Sequence, residues 1–313
     1  MRRIGALEVS TVGLGCNNFG GRIDEVATRS VVDAALDEGI TFLDTADNYG
    51  EGRSEEFLGR ILAGRRDRVV LATKFGGMRA DLGREGGAAP SYVREAVEAS
   101  LRRLGTDRID LYQLHVPDTG TPIADTLGAL DELVRAGTVR EIGCSNFDAG
   151  RLREADAVAR PGAACLASVQ NQLSLLNTAD ARDGLPEAER LGLAYIPFFP
   201  LASGLLTGKV RRGEHAPAGT RVAGWAAERA AELLTDATFD RIEALTGFAK
   251  ERGHSLLELA FAWLLALGPV VSVIAGATSP GQVRANAAAG TWRLEPADLT
   301  ALTDELARLH AEP

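Results

Sequence analysis

The sequence predicts an α/β fold, a (β/α)8 TIM barrel in which eight parallel strands alternate with eight helices. Short apolar segments of strand length alternate eight times with segments whose apolar residues recur at helical spacing. Several of the predicted helices are followed by glycine, a residue that commonly ends a helix. No Ser/Gly-rich linker divides the chain, so residues 1–313 are expected to form a single barrel domain. The active site is then expected at the C-terminal face of the strands.

The predicted elements follow one another along the chain. The strands span residues 12–14, 41–43, 69–73, 109–114, 139–143, 167–169, 195–198 and 270–274. The helices after them span residues 24–38, 54–62, 91–104, 123–136, 148–158, 182–191, 255–267 and 279–289. Ser255 and Ser279 are predicted N-caps, and Pro280 suits a first helical position. Two extra helices are predicted at residues 235–252 and 296–310, and two long loops at 76–90 and 209–224.

One uncharged segment, residues 259–283, is long enough to suggest a membrane span. Gly268 and Pro269 divide it, and a helix through them would lose a backbone hydrogen bond and clash sterically. We therefore predict a buried helix followed by a strand, and no membrane span.

The composition narrows the partners and the compartment. The net charge of −9 disfavours nucleic acid and anionic membranes, because both require clustered Lys and Arg. Cys16, Cys144 and Cys165 are widely spaced and form no Cys-x-x-Cys pair, so neither a disulfide framework nor a metal site is expected. The first residues contain no apolar stretch of signal-peptide length, so a cytoplasmic location is expected. The oligomeric state stays open.

Four polar residues stand at or just after the ends of successive predicted strands: Asp44, Tyr49, Lys74 and His115. In a parallel barrel these ends meet at one mouth. Lys74 could lower the pKa of the Tyr49 phenol from its free value of about 10, and Asp44 could keep Lys74 protonated. His115 could hydrogen-bond a substrate oxygen or Tyr49. Such a set suits general acid–base catalysis without a metal, as carbonyl reduction requires, with the hydride supplied by a cofactor.

A structural role is the alternative for each of the four residues. A lone Asp or Lys at a strand end is commonly part of a salt bridge, and a lone His is commonly a satisfied structural residue. Spacing alone does not decide between the two interpretations.

The motifs around these residues resemble the aldo-keto reductase superfamily, and its potassium-channel β-subunit branch in the cofactor motifs. They are, in chain order, FLDTADNYG (42–50), ATK (72–74), LYQLH (111–115), GCSNF (143–147), QN (170–171), PLASGLLTGK (200–209), VIAGATSP (273–280) and Asn286. They cover nearly the whole chain, and their combination is specific.

The resemblance implies an NADPH-dependent carbonyl reductase, with NADH as a second candidate cofactor. Tyr49 would donate the proton, Lys74 and Asp44 would adjust the pKa of Tyr49, and His115 would orient the carbonyl. The implied cofactor contacts are Cys16, Asn17, Ser145, Asn146, Gln170 and Phe198 at the nicotinamide, and Pro200, Leu201, Gly204, Lys209, Arg221, Gly276, Thr278, Gln282 and Asn286 along the phosphates.

An independent argument supports a phosphate site at the last predicted helix. Ser279 and Pro280 form a good helix start, a helix N-terminus attracts phosphate, and barrels commonly bind phosphate there. However, residues 276–278 lack the basic residue that many relatives use to hold the 2′-phosphate of NADPH, and Arg284 is the nearest cation in sequence. We therefore expect a weak preference for NADPH over NADH.

The substrate prediction rests on the first loop. Residues 16–18 read Cys-Asn-Asn where an aromatic residue is common in relatives. A polar surface at this position in the active site would suit a hydroxylated substrate. Three functions stay open. The first is a reductase of aldehydes or ketones with a small-molecule carbonyl substrate. The others are a cofactor-binding, redox-sensing regulatory subunit and a dedicated ketoreductase of a sugar or secondary metabolite.

Overall fold

The computed structural model describes residues 1–77 and 87–311 of the chain. Its strands are β1 (Arg2–Ile4), β2 (Leu7–Val9), β3 (Val12–Gly15), β4 (Phe42–Asp44), β5 (Val70–Phe75), β6 (Ile109–Leu114), β7 (Val139–Ser145), β8 (Leu166–Gln172), β9 (Ala194–Phe198) and β10 (Val273–Gly276). Over these ranges eight parallel strands form one sheet in the order β10-β3-β4-β5-β6-β7-β8-β9. The predicted (β/α)8 barrel is confirmed.

The first and last strands of this order are brought together by the segment before β10. The backbone N–H of Tyr195 on β9 donates to Pro269 O (2.8 Å), and the N–H of Val271 donates to Tyr195 O (3.0 Å). Regular pairing of β10 with β3 begins only at Val273, whose N–H donates to Thr11 O. The predicted strand start at residue 270 was therefore wrong, because Val270 and Val271 lie beside β9 before the ladder with β3 begins.

The helices alternate with these strands around the barrel. They are α1 (Glu25–Asp37), α2 (Arg53–Leu62), α3 (Pro90–Leu104), α4 (Ile123–Arg135), α5 (Ala149–Ala157), α6 (Gly184–Leu191), α7 (Ala227–Leu233), α8 (Asp236–Glu251), α9 (Leu256–Ala266), α10 (Pro280–Ala289) and α11 (Pro296–Ala311). The predicted N-caps Ser255 and Ser279 both accept from a backbone N–H, and Ser255 forms a capping box with Glu258. Both predicted extra helices are present, as α8 and α11.

The sequence analysis did not predict the short helix α7 or the hairpin formed by β1 and β2. The short helix α7 lies just after the predicted long loop 209–224. The hairpin β1–β2 precedes the barrel, and its residues Ile4, Leu7 and Val9 are buried in one cluster with Phe42 and Ile196 from the barrel interior. Hydrogen bonds from its Arg2 guanidinium to Leu265 O (2.7 Å) and Val270 O fasten it to the chain before β10. The hairpin therefore fills the floor of the barrel, opposite the mouth.

The other predicted loop, 76–90, includes residues 78–86, which lie outside the described ranges. Within those ranges, no helix is long and apolar enough to cross a membrane.

Candidate active site

The four predicted catalytic residues lie together at the C-terminal ends of neighbouring strands. Asp44 ends β4, Lys74 lies near the end of β5, and His115 follows β6 directly, its backbone N–H donating to Phe75 O (2.8 Å). Tyr49 begins a short 3-10 turn, Tyr49–Gly52, that follows β4. The sequence prediction that these residues meet at one mouth agrees with this placement.

The turn that carries Tyr49 requires glycine at the next position. Gly50 has φ 58°, and a Cβ added there would lie 2.6 Å from Phe19 O. A larger residue would therefore combine an unfavourable left-handed backbone conformation with a clash against the backbone of the neighbouring loop.

Lys74 is fully buried and held by oxygen acceptors. Its Nζ donates to Asp44 Oδ2 (2.6 Å) and to Thr45 O (2.9 Å), and it lies 5.1 Å from the centre of the Tyr49 ring. Burial works to lower the pKa of Lys74, but the charge of Asp44 and the contact with Tyr49 raise the pKa above its usual value. Lys74 therefore carries a full positive charge inside the protein.

The pKa of the Tyr49 phenol is higher than the sequence analysis suggested. Burial, the largest effect, raises the pKa of Tyr49, whereas Lys74 lowers it and Asp44 raises it again. The expected direction of the Lys74 effect is present, but the net shift is upward because desolvation outweighs it. Tyr49 is consequently protonated at neutral pH and has a proton to donate.

His115 is neutral in this setting. Its ring meets the Tyr49 ring edge to face, with centroids 5.8 Å apart. Burial, assisted by the charge of Lys74, lowers the pKa of His115 to about 3. A neutral imidazole can donate one N–H to a substrate oxygen without adding a second positive charge next to Lys74.

The second carboxylate oxygen of Asp44 contacts two glutamine side chains. Gln113 Nε2 donates to Asp44 Oδ1 (3.1 Å), and Gln170 Nε2 donates to the same oxygen (2.9 Å). Gln113 was missed in the sequence, although a signal was present: it is a polar residue inside the apolar strand β6. Residues two apart on a strand share a face, so Gln113 and His115 both point inward.

A cavity of about 1060 Å³ opens at this mouth, the size range of ligand-binding clefts. Asp44, Tyr49 and His115 line it, whereas Lys74 lies behind the wall. Every predicted cofactor contact also lines it: Cys16, Asn17, Ser145, Asn146, Gln170, Phe198, Pro200, Leu201, Gly204, Lys209, Arg221, Gly276, Thr278, Gln282 and Asn286.

The charges around the cavity are mainly positive. Arg22, Lys209 and Arg221 line it, and Asp44, already paired, is the one acidic lining residue in the described ranges. Arg221 donates to Asn18 Oδ1 (3.0 Å) across the mouth, and Arg22, which was not predicted, donates to Gly219 O (2.9 Å). This wall therefore favours an anionic ligand.

The predicted phosphate site at α10 has the expected local geometry. Ser279 caps the helix, and Pro280 occupies its first turn. Gln282 folds back, so that its Oε1 accepts from the N–H (2.8 Å) and the hydroxyl (3.2 Å) of Thr278. Arg284 does not line the cavity; its guanidinium lies 3.8 Å from Glu38.

Several cavity residues other than glycine adopt left-handed backbone conformations. Asn146 (φ 59°), Phe199 (φ 50°) and Ser203 (φ 60°) line the cavity in this conformation, and Ala202 (φ 45°) adopts it next to Ser203. The Asn146 amide compensates by donating to His115 O (2.9 Å). Such strain is maintained where the surroundings fix the backbone, and it is common at functional sites. Among the residues described, no cluster of three or more His, Cys, Asp or Glu side chains could hold a metal ion.

Comparison with known proteins identifies the family. The model of the aldo/keto reductase family matches residues 11–306. The chain is 36% identical over 291 residues to the uncharacterized oxidoreductase YrpG of Bacillus subtilis (89% of this chain, 86% of YrpG). It is 35% identical over 305 residues to the aldo-keto reductase YhdN of the same organism (93% of this chain, 88% of YhdN).

A solved structure agrees with this result. A glycerol dehydrogenase of Gluconobacter oxydans superposes with a TM-score of 0.82 at 32% identity, covering 100% of this chain and 96% of that one. The chain is therefore an oxidoreductase that belongs to the aldo/keto reductase family.

Proposed function

We propose that this protein reduces an aldehyde or ketone to an alcohol with a nicotinamide cofactor, NADPH or NADH, and that Tyr49 donates the proton. The observation that carries the proposal is the position of the Tyr49 phenol beside the buried Lys74 ammonium, which is paired with Asp44, at the wall of a large cavity lined by cations. This arrangement suits proton delivery to a carbonyl oxygen.

The fit of a dinucleotide is supported by the lining of the cavity. Arg22, Lys209 and Arg221 would hold the phosphates, since charge-assisted hydrogen bonds to phosphate are strong. Ser145, Asn146 and Gln170 would hold the carboxamide, and Phe198 offers a flat apolar face to the ring. When bound, the nicotinamide supplies the hydride that no side chain can supply.

The residues of the chain would handle the proton. A carbonyl oxygen between Tyr49 and His115 would accept a hydrogen bond from each, so that charge developing on the oxygen meets two donors. Tyr49 then gives up its proton, and the phenolate that results is stabilised by Lys74. Asp44 keeps Lys74 charged throughout, so the positive charge is in place before the reaction starts.

The choice between NADPH and NADH stays part of the proposal. In the ranges described, no cationic side chain from α10 or residues 276–279 lines the cavity. We therefore propose a modest preference for NADPH, because the strongest contact for a 2′-phosphate, an arginine fork, is missing from this helix.

We also propose that the substrate is a small hydroxylated carbonyl compound. Asn17 and Asn48 line the cavity, Asn48 precedes Tyr49 in the chain, and Asn48 Oδ1 has no hydrogen-bond partner in the described ranges. Amide groups near the reacting centre would reward a hydroxylated ligand. The similar Gluconobacter protein, by name, acts on glycerol, a polyol. Comparing glyceraldehyde with benzaldehyde tests this proposal, and a strong preference for benzaldehyde would refute it.

Two measurements test the main proposal. Fluorescence titration with NADPH and NADH should show micromolar binding of at least one of them. Tyr49→Phe should then abolish reduction with little change in cofactor affinity, because the substitution removes the phenolic hydroxyl and leaves the ring. Wild-type kcat in this variant, with chemistry rate-limiting, would show that another group supplies the proton. No binding of either nucleotide would overturn the cofactor assignment.

A further inference from the structure

We propose that Asp44 has a second role as a positioning residue: its Oδ1 fixes the amide of Gln170 so that the cofactor's carboxamide meets a carbonyl oxygen there. The proposal rests on the proposed function. It joins the proton-donating residues and the carboxamide-binding wall into one hydrogen-bonded unit.

The two carboxylate oxygens of Asp44 accept hydrogen bonds from different partners. Oδ2 accepts from Lys74 Nζ at 2.6 Å. Oδ1 accepts from Gln170 Nε2 at 2.9 Å and from Gln113 Nε2 at 3.1 Å. A carboxylate paired with an ammonium has acceptors only. Both glutamines must therefore turn their NH2 groups toward Asp44.

The second N–H of the Gln170 amide also has an acceptor. Gln170 Nε2 also lies 3.4 Å from Gln113 Oε1, which is a second acceptor on the same side. Turning the Gln170 amide around would place its oxygen against two acceptors, Asp44 Oδ1 and Gln113 Oε1. The oxygen and nitrogen of an amide group have nearly the same shape, so hydrogen bonds decide its orientation. The acceptors around Gln170 therefore fix the orientation of its amide group.

The side-chain oxygen of Gln170 remains available to a ligand. Gln170 lines the cavity, whereas Gln113 is buried behind it. With its NH2 group engaged, Gln170 offers the cavity its Oε1, for which the described ranges contain no donor. A carbonyl oxygen selects for a ligand group that donates. The NH2 of a nicotinamide carboxamide is such a group, and a ketone in its place is not.

Space for Gln113 is provided by the neighbouring strand. Gly143 on β7 pairs with Gln113, and a Cβ added to Gly143 would lie 3.2 Å from Gln113 Cγ and 2.5 Å from Ser168 Oγ. Glycine at this position therefore leaves room for the buried glutamine that completes the set of acceptors around Gln170.

The test compares two cofactors that differ at one group. NADPH carries a carboxamide, and its reduced 3-acetylpyridine analogue carries a methyl ketone without the NH2 donor. We expect the wild-type protein to bind NADPH about tenfold more tightly than the analogue, as one lost hydrogen bond implies. Both dissociation constants can be measured by fluorescence titration, without turnover.

Asp44→Asn should reverse the orientation of Gln170. The Lys74 ammonium requires the oxygen of the new amide, so the Asn NH2 faces Gln170, which must turn its own oxygen inward and its NH2 to the cavity. The tenfold discrimination should then fall to twofold or less. Lys74→Met is the matched control: it retains the Asp44 carboxylate, so it should keep the wild-type ratio even though its activity is lost.

The outcomes separate the two proposals. Equal wild-type affinities, or a wild-type ratio in a folded Asp44→Asn protein, would overturn the role of Asp44 alone. Failure of the wild-type protein to bind either nucleotide would overturn the proposed function, and this inference with it. If Asp44→Asn does not fold, the wild-type ratio and the Lys74→Met ratio still decide, because a loss of discrimination in Lys74→Met contradicts the inference.

Discussion

His115 should make the protein less stable in acid, and replacing it with glutamine should remove that part of the pH dependence. Burial lowers the pKa of His115 in the folded protein to about 3, from an ordinary value of 6.5. Below pH 6.5 the unfolded chain therefore binds a proton at this position that the folded protein does not. The stability is fully present above pH 6.5 and is lost progressively as the pH falls toward 3.

The size of the effect follows from the difference between the two pKa values. From pH 6.5 to pH 5 the unfolded state gains about 1.4 kcal/mol per pH unit over the folded state. The wild-type protein should therefore lose about 2 kcal/mol of unfolding free energy at this position between pH 8 and pH 5. Glutamine does not titrate and keeps a polar side chain next to Tyr49.

The assay is urea denaturation of the wild-type protein and His115→Gln at pH 8 and pH 5. Other groups titrate equally in both proteins, so the comparison is the difference of two differences. His115→Gln should lose about 2 kcal/mol less than the wild-type protein. The same loss in both proteins would show that His115 takes up a proton as readily in the folded protein as in the unfolded chain, and would contradict the lowered pKa of His115.

Further predictions concern the buried ion pair and the cations. Lys74→Met should lower the unfolding free energy by about 3–5 kcal/mol, because it leaves Asp44 as an uncompensated buried charge; a loss below about 1 kcal/mol in urea denaturation would contradict this. Adding Asp44→Asn should restore part of that loss, since the unpaired charge disappears. Arg221→Ala should weaken NADPH binding by tenfold or more and reduce its salt dependence, whereas Arg284→Ala, outside the cavity, should leave the NADPH dissociation constant within twofold. A selective loss of NADPH affinity in Arg284→Ala would show that this side chain turns toward the ligand.

The sequence predicted elements well where local chemistry and burial agree. The helix at Ser279 and Pro280 has both a capping residue and a preorganised first turn, and it begins where predicted. Strand β6 is apolar enough that its limits, Ile109 and Leu114, were predicted without error. The start of β10 was misplaced because the β-branched Val270 and Val271 favour an extended chain whether they lie beside β9 or pair with β3.

Properties that depend on many neighbours could not be predicted in the same way. The sequence pointed to a cation near Tyr49, but the degree of burial, which reverses the net pKa shift, belongs to the packed structure. Arg22 lines the cavity only because the loop after β3 meets residues 217–222 across the mouth. The hairpin β1–β2 escaped notice because each of its strands has only three residues, too few for a reliable alternation.

The hairpin at the floor of the barrel contributes core residues that can be substituted without changing the residues that line the cavity. Its residues Ile4, Leu7 and Val9 pack with apolar barrel residues such as Phe42, and none of the three lines the cavity at the mouth. Substitutions that improve packing in this lower region could raise thermal stability without touching the strained loops above it. The usual conflict between a rigid scaffold and an adaptable active site is therefore relaxed in this protein, and the floor is the place to begin directed stabilisation.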